Sequence, residues 1–143
     1  MHTETRKKKI RMMCALWSII PVAFCIYALV SDSPNGIVAL IAVMCICGLL
    51  MLMGVFVYLG YTGLLAGFNT MTPDELNRYD MEKVSEFMGL SIIVSTFIAF
   101  FSAVAVLMIT DNAATASITS ILILTVVILF SAFYVGFGER FKA

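Results

Sequence analysis

Four long stretches of the chain contain no Asp, Glu, Lys or Arg: Met12 to Val30, Gly36 to about Leu59, Phe87 to Thr110, and Ala113 to about Gly138. A run of about 20 apolar residues matches a hydrocarbon core of roughly 30 Å, and a helix is the spanning form that satisfies its own backbone hydrogen bonds. Composition agrees. The chain is 62% hydrophobic and 13% charged, whereas soluble domains lie near roughly 45–50% and about 25%; its mean hydropathy is +1.03. A β-barrel would need segments of about ten residues that alternate apolar and polar, and these runs do not alternate. The expected fold is an all-α membrane protein with four transmembrane helices, at residues 12–30, 36–59, 87–110 and 113–138. Together these form one domain over residues 12–143, behind a basic tail at residues 1–11.

The first run follows a positive cluster, Arg6, Lys7, Lys8, Lys9 and Arg11, and so resembles a signal peptide. Its length and the absence of a small-x-small cleavage site in "YALVSDSP" instead point to a retained anchor. Pro21 should kink it, because proline removes one helical hydrogen bond. Basic residues mark the cytoplasmic side of short loops. All nine Lys and Arg fall on one side of a four-span arrangement: five in the N-terminal tail, Arg78 and Lys83 in the central segment, Arg140 and Lys142 in the C-terminal tail. The expectation is a multi-pass protein of the cell membrane with both termini and residues 60–86 in the cytoplasm.

That central segment carries seven charged residues between two apolar runs. Thr72-Pro73-Asp74-Glu75 has a hydroxyl N-cap, proline at the first helical position and acids at the positive helix end; with Glu75 at the third position it is a capping box. Leu76, Tyr79, Val84 and Phe87 recur at near-helical spacing opposite Glu75, Arg78, Glu82 and Glu86, which predicts a short amphipathic cytoplasmic helix between the second and third spans. Asp80 falls within the apolar arc. It reads either as a second N-cap, where the surface helix bends into the third span, or as the partner of Lys83 at i, i+3 in one continuous helix. Upstream, Gly60, Gly63 and Gly67 lie where the second span should end or bend, and "GLLAG" fits the GxxxG pattern of closely approaching helices.

The stretch "LLAGFNTMTPDELNRYD", continued by "EKVSEFMG", two spans and a "GERFK" tail, resembles the family of small prokaryotic multi-pass membrane proteins known as domain of unknown function 3784. The likeness covers about residues 36–143. Two departures stand out: the additional N-terminal span, and Glu139 where the family pattern has asparagine. No activity comes with the resemblance. It implies that Gly67, Asn69, Thr70, Asp80 and Gly89 form the family's common feature.

The sequence offers little chemistry. His2 is the only histidine, which argues against His-based catalysis or metal binding, and no ionisable residue of the proton-relay kind lies within a span. "GYTGLLAG" lacks the lysine of a phosphate loop. Met44, Cys47 and Met51 share a stripe, as do Cys14 and Cys25, and soft ligands suit Cu(I); both residue types also pack as ordinary apolar side chains. Ser91, Ser95 and Ser102, and Ala132 with Gly136, are spaced for close helix contact or, alternatively, for a pore lining. The expectation is a protein that is not an enzyme, has no cofactor and binds no nucleic acid. Besides the lipid bilayer, it would meet a protein partner on the cytoplasmic side, or itself, through residues 60–89. The candidate residues are Gly63, Gly67, Asn69, Thr70, Thr72, Glu75, Asp80, Glu82, Glu86 and Gly89. The alternative is a small oligomeric channel or exporter.

Overall fold

The computed structural model describes residues 8–12, 15, 17–30, 34–65 and 70–142. In chain order the helices that shape the fold are α1 (Ile19–Val30), α2 (Pro34–Tyr58), α3 (Pro73–Leu76), α4 (Met81–Thr110) and α5 (Ala113–Phe137). Short 3-10 turns occupy Thr62–Leu64 and Glu139–Phe141. Among the described residues there is no β-strand, only an isolated antiparallel bridge between Tyr79 and Lys142. Helices α2, α4 and α5, of 25, 30 and 25 residues, are long and apolar enough to cross a membrane.

Two expectations change. α1 holds 12 residues of the first apolar run, about 18 Å at 1.5 Å per residue; residues 13, 14 and 16, where that span would continue, lie outside the described residues. The helical chain breaks at Ser18, whose amide and hydroxyl both reach the Ala15 carbonyl, at 3.2 and 2.6 Å. Pro21, from which the sequence predicts a kink, is the third residue of α1, within the first turn, where helix amides have no intrahelical partner to lose. The amphipathic surface helix is the second change. α3 is a single turn of four residues, and α4 starts at Met81 rather than near Phe87. Between them the chain turns at Asn77 and Arg78, and Tyr79 is drawn into the bridge with Lys142, which no helix permits.

Contacts divide the chain into two units, Met1–Gly48 with Phe97–Ile123, and Leu49–Thr96 with Leu124–Ala143. In the first unit, Leu40, Val43 and Cys47 of α2, Ala99, Phe100 and Ala103 of α4, and Ala116 of α5 are buried. Trp17 meets Phe97 edge-on at 5.4 Å. α4 and α5 are joined by two residues: Asp111 takes a left-handed conformation (φ 48°) and donates its amide to the Leu107 carbonyl. Asn112 then caps α5, its Oδ1 accepting from the Thr115 amide at 3.0 Å. Asp tolerates the left-handed region and Asn is a favoured N-cap. One turn further on, the Ser120 hydroxyl lies 3.0 Å from the Ala99 carbonyl of α4.

The second unit is organised by a backbone crossing of α2 and α4. A Cβ on Gly89 would lie 2.5 Å from the Tyr58 amide nitrogen and 2.6 Å from its Cα; one on Gly54 would lie 2.9 Å from Ile93 Cγ1 and 3.2 Å from the Gly89 carbonyl oxygen. The two helices touch because neither glycine carries a side chain. Around the crossing, Val57, Leu65, Val84, Met88, Ile92, Val135 and Phe141 form one buried cluster. α2 then ends at Gly60, whose φ of +106° lets the Gly60 and Tyr61 amides bond back to the Val57 and Phe56 carbonyls. This is a Schellman closure, with its apolar contact supplied by Phe56 against Tyr61 at 5.9 Å.

Gly89→Ala should lower the unfolding midpoint in detergent, corresponding to about 1–3 kcal/mol for overpacking against a backbone that cannot yield. Gly63→Ala, where an added Cβ meets nothing within 4 Å, should leave the midpoint unchanged. Equal midpoints for the two variants would contradict the tight crossing.

Candidate interaction site

The sequence-predicted residues concentrate at the chain segment that leads from α2 into α4. Thr72 caps α3 as expected: its hydroxyl accepts from the Glu75 amide at 3.4 Å, and the Glu75 carboxylate returns to the Thr72 amide at 2.8 Å. The Thr72 amide, and after it the Thr72 hydroxyl, which donates to the same carboxylate oxygen at 3.0 Å, hold the Glu75 carboxyl below its ordinary value. Asp80 combines both roles that the sequence allows. Its Oδ1 accepts from the Lys83 amide at 3.2 Å as the N-cap of α4, and its Oδ2 pairs with Lys83 Nζ at 2.8 Å. Lys83, through its side chain and then its amide, depresses the Asp80 carboxyl.

The C-terminal tail completes this arrangement. After α5, the 3-10 turn Glu139–Phe141 brings the chain back so that the Asp80 amide donates to the Phe141 carbonyl at 2.8 Å, and Lys142 bridges to Tyr79. Phe141 is buried, in an aromatic cluster with Phe87 at 5.2 Å and Tyr134 at 5.8 Å, while Phe87 and Tyr134 are 5.4 Å apart. Gly138 permits the reversal, since a Cβ there would lie 2.6 Å from the Tyr134 carbonyl oxygen and 3.1 Å from the Phe141 ring. The "NRYD" and "RFK" portions of the sequence therefore meet as a clamp at the start of α4. Edge and tilted ring contacts of this kind add about 0.5–1.5 kcal/mol per pair beyond burial.

The remaining candidates separate. Glu86 is half-buried and accepts from the Tyr58 hydroxyl at 3.3 Å, so it belongs to the α2–α4 contact and not to an open acidic face. Gly89 is the crossing point. Glu82 and Thr70 are exposed and have polar partners. Gly63 sits in the exposed turn Thr62–Leu64 with open space around it and makes no close helix contact there. Gly67 and Asn69 lie outside the described residues. Leu76 is half-buried, and Val84 and Phe87 pack into the second unit's own core, so much of the predicted apolar face is covered by the chain itself. Sequence reasoning missed Gly54, Tyr58 and Phe141. Phe141 carried a signal, as the one large apolar side chain among the charges of "ERFK"; Gly54 carried none, because its partner Gly89 lies on another helix.

Among the described residues no three His, Cys, Asp or Glu side chains converge as metal ligands. The site is a folded connector with an outward charged surface made by Asp74, Glu75, Arg78, Glu82 and Lys83. A family profile matches residues 46–139, which contain the crossing, both caps and the Tyr79–Asp80 half of the clamp; Phe141 and Lys142 follow the matched stretch. The chain belongs to the family described as Domain of unknown function (DUF3784). No curated protein and no solved structure is similar enough to match it. The family and the three apolar helices together mark this member as a membrane protein.

Because the folded-state carboxyls of Glu75 and Asp80 are depressed, their contribution is complete above the ordinary carboxylate values and disappears as pH falls through the depressed ones. Amide protection at Glu75 and Lys83, corrected for intrinsic exchange, should be flat down to about pH 5 and should decline below about pH 4. Asp80→Asn, which keeps an N-cap acceptor, should remove that decline at Lys83. A decline of equal size in Asp80→Asn would exclude Asp80 as the titrating group.

Proposed function

We propose that this protein is a non-enzymatic, multi-pass protein of the cell membrane that docks a protein partner through the cytoplasmic surface of residues 60–89. One observation carries the reading. The distinctive sequence of the chain is spent on a connector, clamped by the tail, in which Leu65, Val84 and Met88 turn inward while Asp74, Glu75, Arg78, Glu82 and Lys83 remain outside. Between residues 72 and 89 five acids stand against two basic residues, a net charge of −3, of which the exposed Asp74, Glu75 and Glu82 against Arg78 and Lys83 leave −1 on the outer face. A cytoplasmic leaflet is itself negative and attracts basic segments, so a basic protein surface suits this face better than lipid headgroups do. Charges at such a rim steer encounter more than they add affinity. The channel reading gains less support, since Ser85, Ser95, Thr96 and Ser131 are buried with their hydroxyls bonded to carbonyls of their own helices.

The orientation rests on the one-sided basic residues, with four spans, the first including α1, and both termini inside. On a cysteine-free background, an impermeant thiol reagent added to intact cells should label a cysteine at Asn112 and spare one at Asn77. The reverse pattern would invert the topology and remove the docking face from the cytoplasm.

Asp74 and Glu82 are exposed, and neither is a cap or a clamp residue. Their joint replacement, Asp74→Asn with Glu82→Gln, should preserve insertion and the unfolding midpoint while reducing co-purification of native partners from membranes, most clearly at low salt. An unchanged set of co-purified proteins at low salt would reduce the segment to a structural connector.

A further inference from the structure

Within the second unit, beside the buried cluster, lies an apolar cavity of about 370 Å3. Residues of α2, α4 and α5 line it together with Leu64, Leu65, Met71 and Tyr79 of the connector, and Met53, Met71 and Met88 are among the lining. That volume falls in the range of ligand pockets, roughly 300–1,000 Å3. Ala132 and Gly136 of α5 are among the lining residues. Their spacing suggested close helix contact, yet both are exposed and a Cβ on Gly136 would meet nothing within 4 Å. Among the described residues nothing lies within 4 Å of that point, so the small residues leave room there.

We infer that this cavity is a binding site for an acyl chain of a bilayer lipid, entering from the side past Ala132 and Gly136. The opening is continuous with a surface that already faces hydrocarbon: Leu129, Phe133 and Phe137 of α5, exposed by 64, 63 and 74%, flank it on the same membrane-crossing helix. Water is a poor occupant, because a buried water needs two to four polar partners and an apolar cavity stays dry. A hydrocarbon chain needs none and moves between two apolar surroundings. The three methionines suit it, as flexible thioethers that adapt their packing to a variable chain. The same Tyr79 that bridges to Lys142 also lines the chain's compartment.

The test uses the full-length protein in phosphatidylcholine vesicles containing a phospholipid with a diazirine in its acyl chain. After illumination, labelled residues are located by mass spectrometry of peptides. Met88, only 4% exposed, should be labelled because the cavity brings the chain to it; Phe133, on the outer face, should be labelled in any case. Gly136→Phe and Ala132→Phe, each filling the entrance, should abolish labelling of Met88 and leave Phe133 labelled. Absence of label from Met88 in the wild-type protein overturns the inference. So does Met88 labelling that persists in both variants when they keep the wild-type unfolding midpoint.

Discussion

The contact on which the second unit depends is the approach of α4 to α2 at Gly89, where one helix backbone rests on the amide and Cα of Tyr58. In a bilayer, apolar side chains gain little from leaving lipid for protein, so helix association relies on close packing and on bonds between helices. Gly89 and Gly54 provide the packing. One turn before Gly89, Glu86 provides a bond, taking the hydroxyl of the fully buried Tyr58. With α2 and α4 so placed, Val57 and Val84 share a core with Val135 and Phe141, and the first turn of α4 stands where the tail can reach it.

The connector is then held from three directions. Its start follows the Schellman closure of α2 at Gly60, its middle is stiffened by the Thr72–Glu75 capping box, and its end is fixed by Asp80, whose amide is taken by Phe141 and whose side chain caps α4. Each device satisfies backbone groups that helix ends leave unpaired. The result at the end of the apolar helices is polar outside and aromatic inside.

Much of this was legible in the chain. The long apolar helices follow from uncharged runs, and the observed ends of α2 and α5 fall within two residues of the sequence-derived ones. Thr72 and Asp80 were readable as caps because capping chemistry is local, decided by residues three positions apart. The length of α3 was not. Leu76, Tyr79, Val84 and Phe87 have helical periodicity, but Tyr79 answers to Lys142, and a partner so distant leaves no trace in a local pattern. The GxxxG reading failed at Gly63 for a related reason. A glycine's role depends on what lies opposite, and for Gly54 and Gly89 that is another helix, whereas for Gly63 it is empty space. Gly136 shows the same lesson on α5, where small size makes room instead of contact.

The two-residue link between α4 and α5 bears on the order in which the molecule assembles. Asp111 and Asn112 reverse the chain with so little intervening length that contacts near the turn, such as Ser120 with Ala99, require almost no loop to be closed. The clamp joins Asp80 to Phe141 and encloses both helices. Closure entropy rises with the length enclosed, and local contacts form first. The hairpin is thus the natural folding nucleus, and the clamp is a late event that depends on both helices already being in register. In kinetic terms, the contact that joins the tail to the start of α4 is among the last to be closed.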